Sequence, residues 1–223
     1  MMDLAPARPR CEYLTTPLGI DSRRPRLSWV LESARRAQRQ SAYQILVAVS
    51  EDSLRAGEGD LWDSGRVESG QSVHVDYAGP APRFGQRCWW AVRVWDQDGV
   101  VSPYSEPSWW EMGLLDPTDW GEAAWISLDI VSDDPQGDRD LPGLVPSLYL
   151  RRTFTLTKPV RRARLYATAR GLYEARFNGQ RIGDALLTPG WTDYTTRIQY
   201  QTYDVTGLLR NGENALGAIL GTG

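Results

Sequence analysis

The segment between residues 173 and 179 constrains the fold most strongly, because it joins a half-buried strand to a hairpin turn. Its first five residues, YEARF, alternate apolar and charged side chains, which places the two kinds on opposite faces of an extended strand. Asn178-Gly179 follows at once, and this dipeptide favours a two-residue hairpin because both residues tolerate positive φ. The segment therefore predicts antiparallel β structure.

The residues after the hairpin continue this β pattern. Asp204 or Thr206 can cap a short helical turn, and the apolar run Ala215–Leu220 that comes next predicts a buried strand. We therefore expect the second half of the chain to form a β-sandwich.

The first half shows short strand-like runs separated by Gly, Pro, Ser and charged residues, without sustained helical periodicity. These runs lie near residues 26–31, 42–49, 72–77, 88–96 and 107–113. About seven short strands in about 100 residues are typical of an immunoglobulin-like sandwich. In the run 88–96, we expect one face to belong to the core, namely the face formed by Cys88, Trp90, Val92 and Val94.

Composition argues against several classes of protein. A net charge of −3 without a clustered basic stripe argues against nucleic acid as the main partner. The N-terminus lacks the apolar core of a secretory signal, and no apolar stretch approaches bilayer length, so we expect a cytoplasmic protein with no membrane partner. In that reducing compartment, we expect Cys11 and Cys88 to be free buried thiols.

Motifs along most of the chain resemble those of a known enzyme family. The second half resembles the N-terminal jelly-roll domain of bacterial α-L-rhamnosidases of the glycoside hydrolase family seventy-eight type, in the motifs FNG (177–179), LTPGWTDY (187–194) and YDVT (203–206). The first half resembles the fibronectin-III-like domain that precedes this jelly roll, in the motifs PRLSW (25–29), LWDSG (61–65) and VRVWD (92–96).

The resemblance implies an all-β chain with three parts. An immunoglobulin/fibronectin-III-like sandwich spans residues 8–115, a linker and polar surface loop spans 116–147, and an incomplete jelly-roll β-sandwich spans 148–223. A finished jelly roll has eight strands, whereas the sequence from residue 148 onwards shows about six. If closing strands are missing, the run Ala215–Leu220 presents an unpaired apolar edge.

In that family, acidic residues of a large (α/α) barrel downstream of the jelly roll hydrolyse terminal α-L-rhamnosides with inversion. The resemblance thus implies a non-catalytic N-terminal fragment, whose partners are the downstream barrel of the same protein and a rhamnose-containing glycoside. An inverting glycosidase needs two carboxyls about 6.5–9.5 Å apart, one with a raised pKa. Nothing in the sequence marks such a pair, so we assign no catalytic residue and expect the chain alone to be inactive.

Four residues are candidates for contact with a glycan: Trp191, Asp193 and Tyr194 in one loop, and Asn178 in the hairpin turn. A flat ring can pack on the apolar face of a sugar while neighbouring polar groups bind its hydroxyls. In the alternative interpretation, Trp191 plugs the end of the sandwich and Asp193 accepts backbone hydrogen bonds from its own loop. We favour this alternative.

No cofactor is predicted, although calcium remains an open alternative. Some jelly-roll modules of this kind bind calcium beside a sugar, and this ion needs six to eight oxygen ligands. Residues that offer such oxygens are Asn178, Asp184, Asp193, Asp204, Asn211, Glu213 and Asn214. They form no spaced run of the EF-hand type. Two cysteines and one histidine do not make a zinc site.

Two other functions stay open, namely a free-standing carbohydrate-binding module and an adhesion or scaffold protein built on a fibronectin-III-like unit. A free-standing module should have all its strands. An adhesion protein would more naturally repeat its first domain or carry a secretion signal. The sequence patterns therefore favour the rhamnosidase fragment.

Overall fold

The computed structural model describes residues 4–127 and 147–221. The chain divides into two compact units, residues 1–122 and residues 123–223, and each is described by itself. The predicted polar loop over 129–147 lies outside the described residues except at residue 147. Within the described ranges, no helix is long and apolar enough to cross a membrane.

Unit 1 is built almost entirely from strands. Its elements are β1 (Ala5–Cys11), β2 (Arg26–Glu32), β3 (Gln40–Ala48), α1 (Glu51–Arg55), β4 (Trp62–Asp63), β5 (Val67–Glu68), β6 (Val75–Asp76), β7 (Arg87–Asp96), β8 (Ser108–Glu111) and a 3₁₀ turn (Pro117–Trp120). One sheet has the order β1-β2-β6, and the other has the order β4-β3-β7-β8 with β5 also paired to β3. All these pairs are antiparallel, as expected for a fibronectin-III-like sandwich.

The predicted core face of β7 is confirmed. Cys88, Trp90, Val92 and Val94 have no solvent-accessible surface and pack in the main cluster of unit 1. The opposite face of β7 is also partly covered, because Ala91 packs in a second buried cluster beside α1. The sequence did not predict α1, since a five-residue helix is too short to show helical periodicity.

β1 was also not predicted, because its sequence, APARPRC, contains two prolines. A proline cannot donate a ladder hydrogen bond, so it is tolerated at a sheet edge. β1 lies at the edge of its sheet, and its pairing with β2 is interrupted between Ala7 and Arg10.

Unit 2 also consists of two sheets. Its strands are β9 (Leu148–Leu156), β10 (Arg164–Ala167), β11 (Leu172–Phe177), β12 (Gln180–Arg181), β13 (Gln201–Asp204) and β14 (Gly212–Gly221), with a 3₁₀ turn at Thr206–Leu208. Four of them form a sheet in the order β12-β11-β14-β9, and β10 pairs with β13 in a second sheet.

The predicted hairpin is confirmed, since Asn178 and Gly179 have φ of 51° and 84° and join the paired strands β11 and β12. The alternation in β11 is confirmed as well. Its apolar face is buried in the core of unit 2 and consists of Tyr173, Ala175 and Phe177.

The prediction that Ala215–Leu220 forms an unpaired edge is wrong. These residues belong to β14, which pairs with β11 on one side and with β9 on the other. A strand that comes last in the sequence can lie in the middle of a sheet, because spatial order in Greek-key and jelly-roll connections differs from chain order. The edges of this sheet are β9 and β12.

Candidate functional site

The loop between β12 and β13 holds three of the four predicted glycan contacts, and we call residues 183–197 the Trp191 loop. Its centre is fixed to β11 by two hydrogen bonds. The backbone N–H of Tyr173 donates to the carbonyl of Thr188 at 2.8 Å, and the Thr188 hydroxyl donates to the carbonyl of Tyr173 at 2.7 Å. Gln201 in β13 adds a third, from its Nε2 to the carbonyl of Pro189 at 3.0 Å. The base of the loop is therefore rigidly held.

The Tyr173 side chain supports this base from inside unit 2. Its hydroxyl lies 2.8 Å from Oε1 of Gln201 and 3.0 Å from the hydroxyl of Tyr203. Burial, together with the hydrogen bond to Tyr203, raises the pKa of Tyr173 far above its ordinary value. The phenol is thus neutral and serves as a hydrogen-bonded support for the loop.

Trp191 is 83% exposed, so the favoured prediction that it plugs the end of the sandwich is wrong. Thr188 and Pro189 just before it are buried, and Gly190 between them and Trp191 has a φ of 97°. This left-handed conformation favours glycine and turns the chain outward. A single sequence does not distinguish such a turn from an inward one.

Asp193 stabilises its own loop, as the alternative interpretation predicted. Its carboxylate accepts from the backbone N–H and the hydroxyl of Thr195 and from the hydroxyl of Thr196. The hydrogen bonds from Thr195, followed by the one from Thr196, hold the pKa of Asp193 below its ordinary value. The carboxylate is therefore charged at neutral pH, and several of its acceptor positions are already occupied.

Tyr194 and Asn178 lie at opposite ends of β11. The hydroxyl of Tyr194 accepts from the backbone N–H of Gly171 at 3.0 Å, just before β11 begins. Asn178 follows β11, and seven residues of extended chain between Gly171 and Asn178 span roughly 23 Å. The structure therefore brings Trp191, Asp193 and Tyr194 into one loop but leaves Asn178 away from it.

The Asn178 side chain fastens its own hairpin. Its Nδ2 donates to the carbonyl of Leu208 and to Oδ1 of Asn214, both at 2.9 Å, and its Oδ1 accepts from the backbone N–H of Ala215. Asn178 also lines a shallow pocket of about 340 Å³ with Arg151 and others. Its carboxamide is already engaged by the protein.

Three of the oxygen ligands proposed for calcium, Asn178, Glu213 and Asn214, line one pocket, but in the described part of the chain no group of three or more His, Cys, Asp or Glu side chains could hold a metal ion. Asp204 illustrates why. Burial raises its pKa, but hydrogen bonds from Thr206 and the charge of Arg164, 2.9 Å away, lower it overall. This carboxylate stabilises the end of β13.

Other carboxylates of the described residues are held by arginines. Burial raises the pKa of Glu12, but the hydrogen bonds and charge of Arg26 lower it overall. A general acid needs the opposite shift, because it must stay protonated near neutral pH. Three ion pairs join a glutamate to an arginine, and their N–O distances are 2.6 Å for Glu12 and Arg26, 3.0 Å for Glu111 and Arg87, and 2.7 Å for Glu174 and Arg176.

Sequence reasoning missed Leu186 and Leu187, which lie in the Trp191 loop and are 74% and 72% exposed. Leu187 has a φ of 56°, which is uncommon for a residue with a Cβ atom. A signal was available, since an apolar pair stands between Gly183-Asp184 and Pro189-Gly190, where turn residues predict a surface loop.

Both units match known protein families. Residues 6–116 match the Rha78A-like N-terminal immunoglobulin domain, and residues 158–223 match the α-L-rhamnosidase N-terminal domain. An α-L-rhamnosidase of Formosa agariphila is 39% identical over 220 residues, which cover 94% of this chain and 23% of that relative.

Two solved structures have the same fold. The α-L-rhamnosidase structure from Dictyoglumus thermophilum has a TM-score of 0.89 and 36% identity, over 98% of this chain and 25% of the other. The structure of native α-L-rhamnosidase from Aspergillus terreus has a TM-score of 0.83 and 34% identity, over 99% of this chain and 24% of the other. This chain thus spans about a quarter of the length of these relatives.

Proposed function

The two units of this chain are N-terminal domains of the α-L-rhamnosidase family, and we propose that they support catalysis carried out by another part of the same protein. In this proposal, the whole protein hydrolyses terminal α-L-rhamnosides with inversion in an (α/α) barrel. Units 1 and 2 contribute no acid or base to the reaction.

The observation that carries the proposal is the match of both units, in order, to N-terminal domains of α-L-rhamnosidases. About three quarters of each relative lies outside the matched part, which leaves room for a separate catalytic domain. An adhesion or scaffold protein is less well supported, because the matched relatives are named as α-L-rhamnosidases.

The electrostatics of the described residues agree with this division of labour. Each carboxyl group whose pKa departs from its ordinary value there, in Glu12, Asp193 and Asp204, is shifted downward. Such groups are ionised at neutral pH and do not deliver a proton to a leaving glycosidic oxygen. The described carboxylates mainly order loops and strand ends.

A hybrid enzyme tests the supporting role. The matched quarter of the Dictyoglumus thermophilum enzyme is replaced by these 223 residues, and hydrolysis of nitrophenyl α-L-rhamnoside is compared with that of the same enzyme lacking the quarter. We expect the hybrid to recover activity and solubility that the shortened enzyme lacks. An unrelated two-sandwich protein of similar length, fused at the same place, is the control. Equal recovery with the unrelated protein would refute the proposal.

A further inference from the structure

We propose that Leu186, Leu187 and Trp191 form a docking surface for an apolar cleft in the further polypeptide that accompanies these domains in the same enzyme. This inference rests on the proposed function, because it assumes that such polypeptide accompanies units 1 and 2. It adds the residues of unit 2 that make the contact and the chemistry of the surface that receives them.

The first observation is the exposure of these three side chains. Trp191 is 83% exposed, Leu186 74% and Leu187 72%, within six consecutive residues of one loop. Single exposed apolar residues are ordinary on protein surfaces, whereas several large ones on one short loop are candidates for an interaction site. Trp, like Tyr and Arg, is also enriched among the residues that dominate the binding energy of protein interfaces.

The second observation is that the group stands on a rigid base. Between the leucines and Trp191, Thr188 and Pro189 are buried and hydrogen-bonded to β11 and to Gln201 in β13. The N–H of Gly190 donates to the carbonyl of Leu187 at 3.1 Å, which closes a tight turn inside the group. A preorganised surface loses little conformational entropy when it binds, so exposed apolar side chains held in this way suit a docking role.

The sides of the loop are equally well ordered. On one side, the Arg181 guanidinium donates to the carbonyl of Ala185 at 2.6 Å. On the other, the carbonyl of Asp193 accepts from the backbone N–H groups of Thr196 and Arg197. The three apolar side chains thus project from a loop whose backbone is fixed before, between and after them.

The chemistry favours a polypeptide over a sugar as the occupant. Sugar sites combine a flat ring with polar groups that bind hydroxyls, but the residues beside Trp191 in this group are two aliphatic leucines. The nearby Asp193 carboxylate already accepts three hydrogen bonds from Thr195 and Thr196. An apolar cleft with one hydrogen-bond acceptor would bury the three side chains and pair the indole N–H of Trp191.

The length of the relatives points to the same protein as the source of this cleft. The chain covers 25% of the Dictyoglumus thermophilum structure, so a large amount of polypeptide accompanies the matched domains there. Domains of one chain bury roughly 600–1,500 Å² where they pack against one another. A surface that is apolar in this chain alone is therefore expected to be buried in the longer protein.

Hydroxyl-radical footprinting read by mass spectrometry tests the docking surface. Oxidation of Leu186, Leu187 and Trp191 is compared between the 223-residue chain and its hybrid with the Dictyoglumus thermophilum enzyme. We expect at least roughly fivefold less oxidation of the three side chains in the hybrid, since the core of an interface excludes water. Tyr149, which is 75% exposed in β9, calibrates the radical dose.

A second measurement uses variants of the same hybrid. Trp191→Ser should lower the melting temperature of the hybrid by several degrees and leave that of the 223-residue chain unchanged, because the side chain makes its contacts only in the hybrid. Tyr149→Ser is the matched control and should change neither. If the hybrid does not fold, the chain is mixed with the shortened relative and the footprint is repeated on the complex.

The outcomes separate this inference from the proposed function. A hybrid that hydrolyses rhamnoside while the three side chains stay as oxidised as in the chain alone overturns the docking surface but not the supporting role. A hybrid in which the three side chains are protected from oxidation but which does not hydrolyse rhamnoside overturns the supporting role but not the docking surface. Protection of Trp191 by rhamnose in the isolated chain, or by self-association seen in light scattering, overturns docking in favour of a glycan or a second copy.

Discussion

Units 1 and 2 are both two-sheet structures, but they bury very different cores. Among the described residues, the main cluster of unit 1 contains sixteen buried side chains, whereas that of unit 2 contains six. In unit 1, a three-stranded sheet faces a larger one, while unit 2 sets two strands against four. Unit 1 is therefore expected to be the more stable of the two.

The inner face of the larger sheet in unit 2 illustrates the difference. Leu148, Leu150 and Leu220 lie on the same face as Tyr173, yet they are only half-buried. In unit 1, by contrast, the core face of the inner strand β7 consists of side chains with no accessible surface. The comparison shows that strands can be fully paired while their side chains remain partly exposed. This is the case in unit 2.

The largest effect is expected in the core of unit 1. Trp110 is fully buried, packs edge to face on Tyr77 and directs its indole Nε1 toward the sulfur of Met112. Trp110→Ala should reduce the free energy of unfolding of unit 1 by about 3–5 kcal/mol through a large cavity. Denaturant titration measures this loss, with the exposed Trp191→Ala in the same chain as the control. A loss below about 1 kcal/mol would contradict the packed core.

The corresponding change in unit 2 should have a smaller effect. Phe177 is 6% exposed and contacts Phe154, which is only half-buried. Phe177→Ala should therefore cost about 2–3 kcal/mol, because half-buried neighbours can relax into the space. In calorimetry, this loss should appear in the first melting transition, which we expect to be that of unit 2. If the cost equalled that of Trp110→Ala, the contrast between the two cores would be broken.

The hairpin of unit 2 should contribute less than either core. Asn178 combines a φ of 51° with side-chain hydrogen bonds to Leu208, Asn214 and Ala215. Asn178→Ala removes these hydrogen bonds and places at a positive φ a residue that tolerates it less well than Asn. The substitution should therefore cost about 2 kcal/mol of the stability of unit 2. Asn178→Gly keeps the positive φ and separates the two contributions. Unfolding curves that coincide with those of the unmodified chain would show that the hairpin adds nothing.

The last effect concerns the thiols of unit 1 and is confined to alkaline pH. Burial raises the pKa of Cys88 to about 12 from 9.0, and burial followed by the charges of Glu12 and Cys88 raises that of Cys11 further. As pH rises from about 9 to about 12, the thiols ionise in the unfolded state but stay protonated in the folded state. The free energy of unfolding is therefore unaffected below the pKa of the unfolded thiols and falls across this window. Unit 1 should lose stability in this window, and Cys88→Ala should lessen the loss. Rapid labelling of both thiols by a disulfide reagent in the folded chain near pH 8 would contradict their burial.

Features of the fold that depend on neighbours in the sequence could be predicted, and those that depend on distant contacts could not. The buried face of β7 follows from alternation, and the Asn178-Gly179 turn follows from the φ that each residue tolerates. The position of β14 between β9 and β11 depends on pairing across the whole unit. No local pattern specifies it, which is why Ala215–Leu220 was predicted at an edge.

The same limit applies to the candidate site. The residues of the Trp191 loop could be named from Pro, Gly and aromatic composition, and Asp193 could be predicted to bond within its loop. The outward direction of Trp191 could not, because it depends on hydrogen bonds that Tyr173 and Gln201 make to Thr188 and Pro189. Asn178 was grouped with them because a single sequence does not show that β11 separates them.

The most direct test of a supporting, non-catalytic chain is hydrolysis of nitrophenyl α-L-rhamnoside by the purified 223-residue protein. No release of nitrophenol above the buffer rate is expected, since an inverting glycosidase needs two carboxyls across one pocket, and neither of the two best-defined pockets among the described residues is lined by two carboxylates. Turnover that remains through purification, disappears in Glu174→Gln or Asp193→Asn, and persists in the exposed control Asp98→Asn would contradict this conclusion.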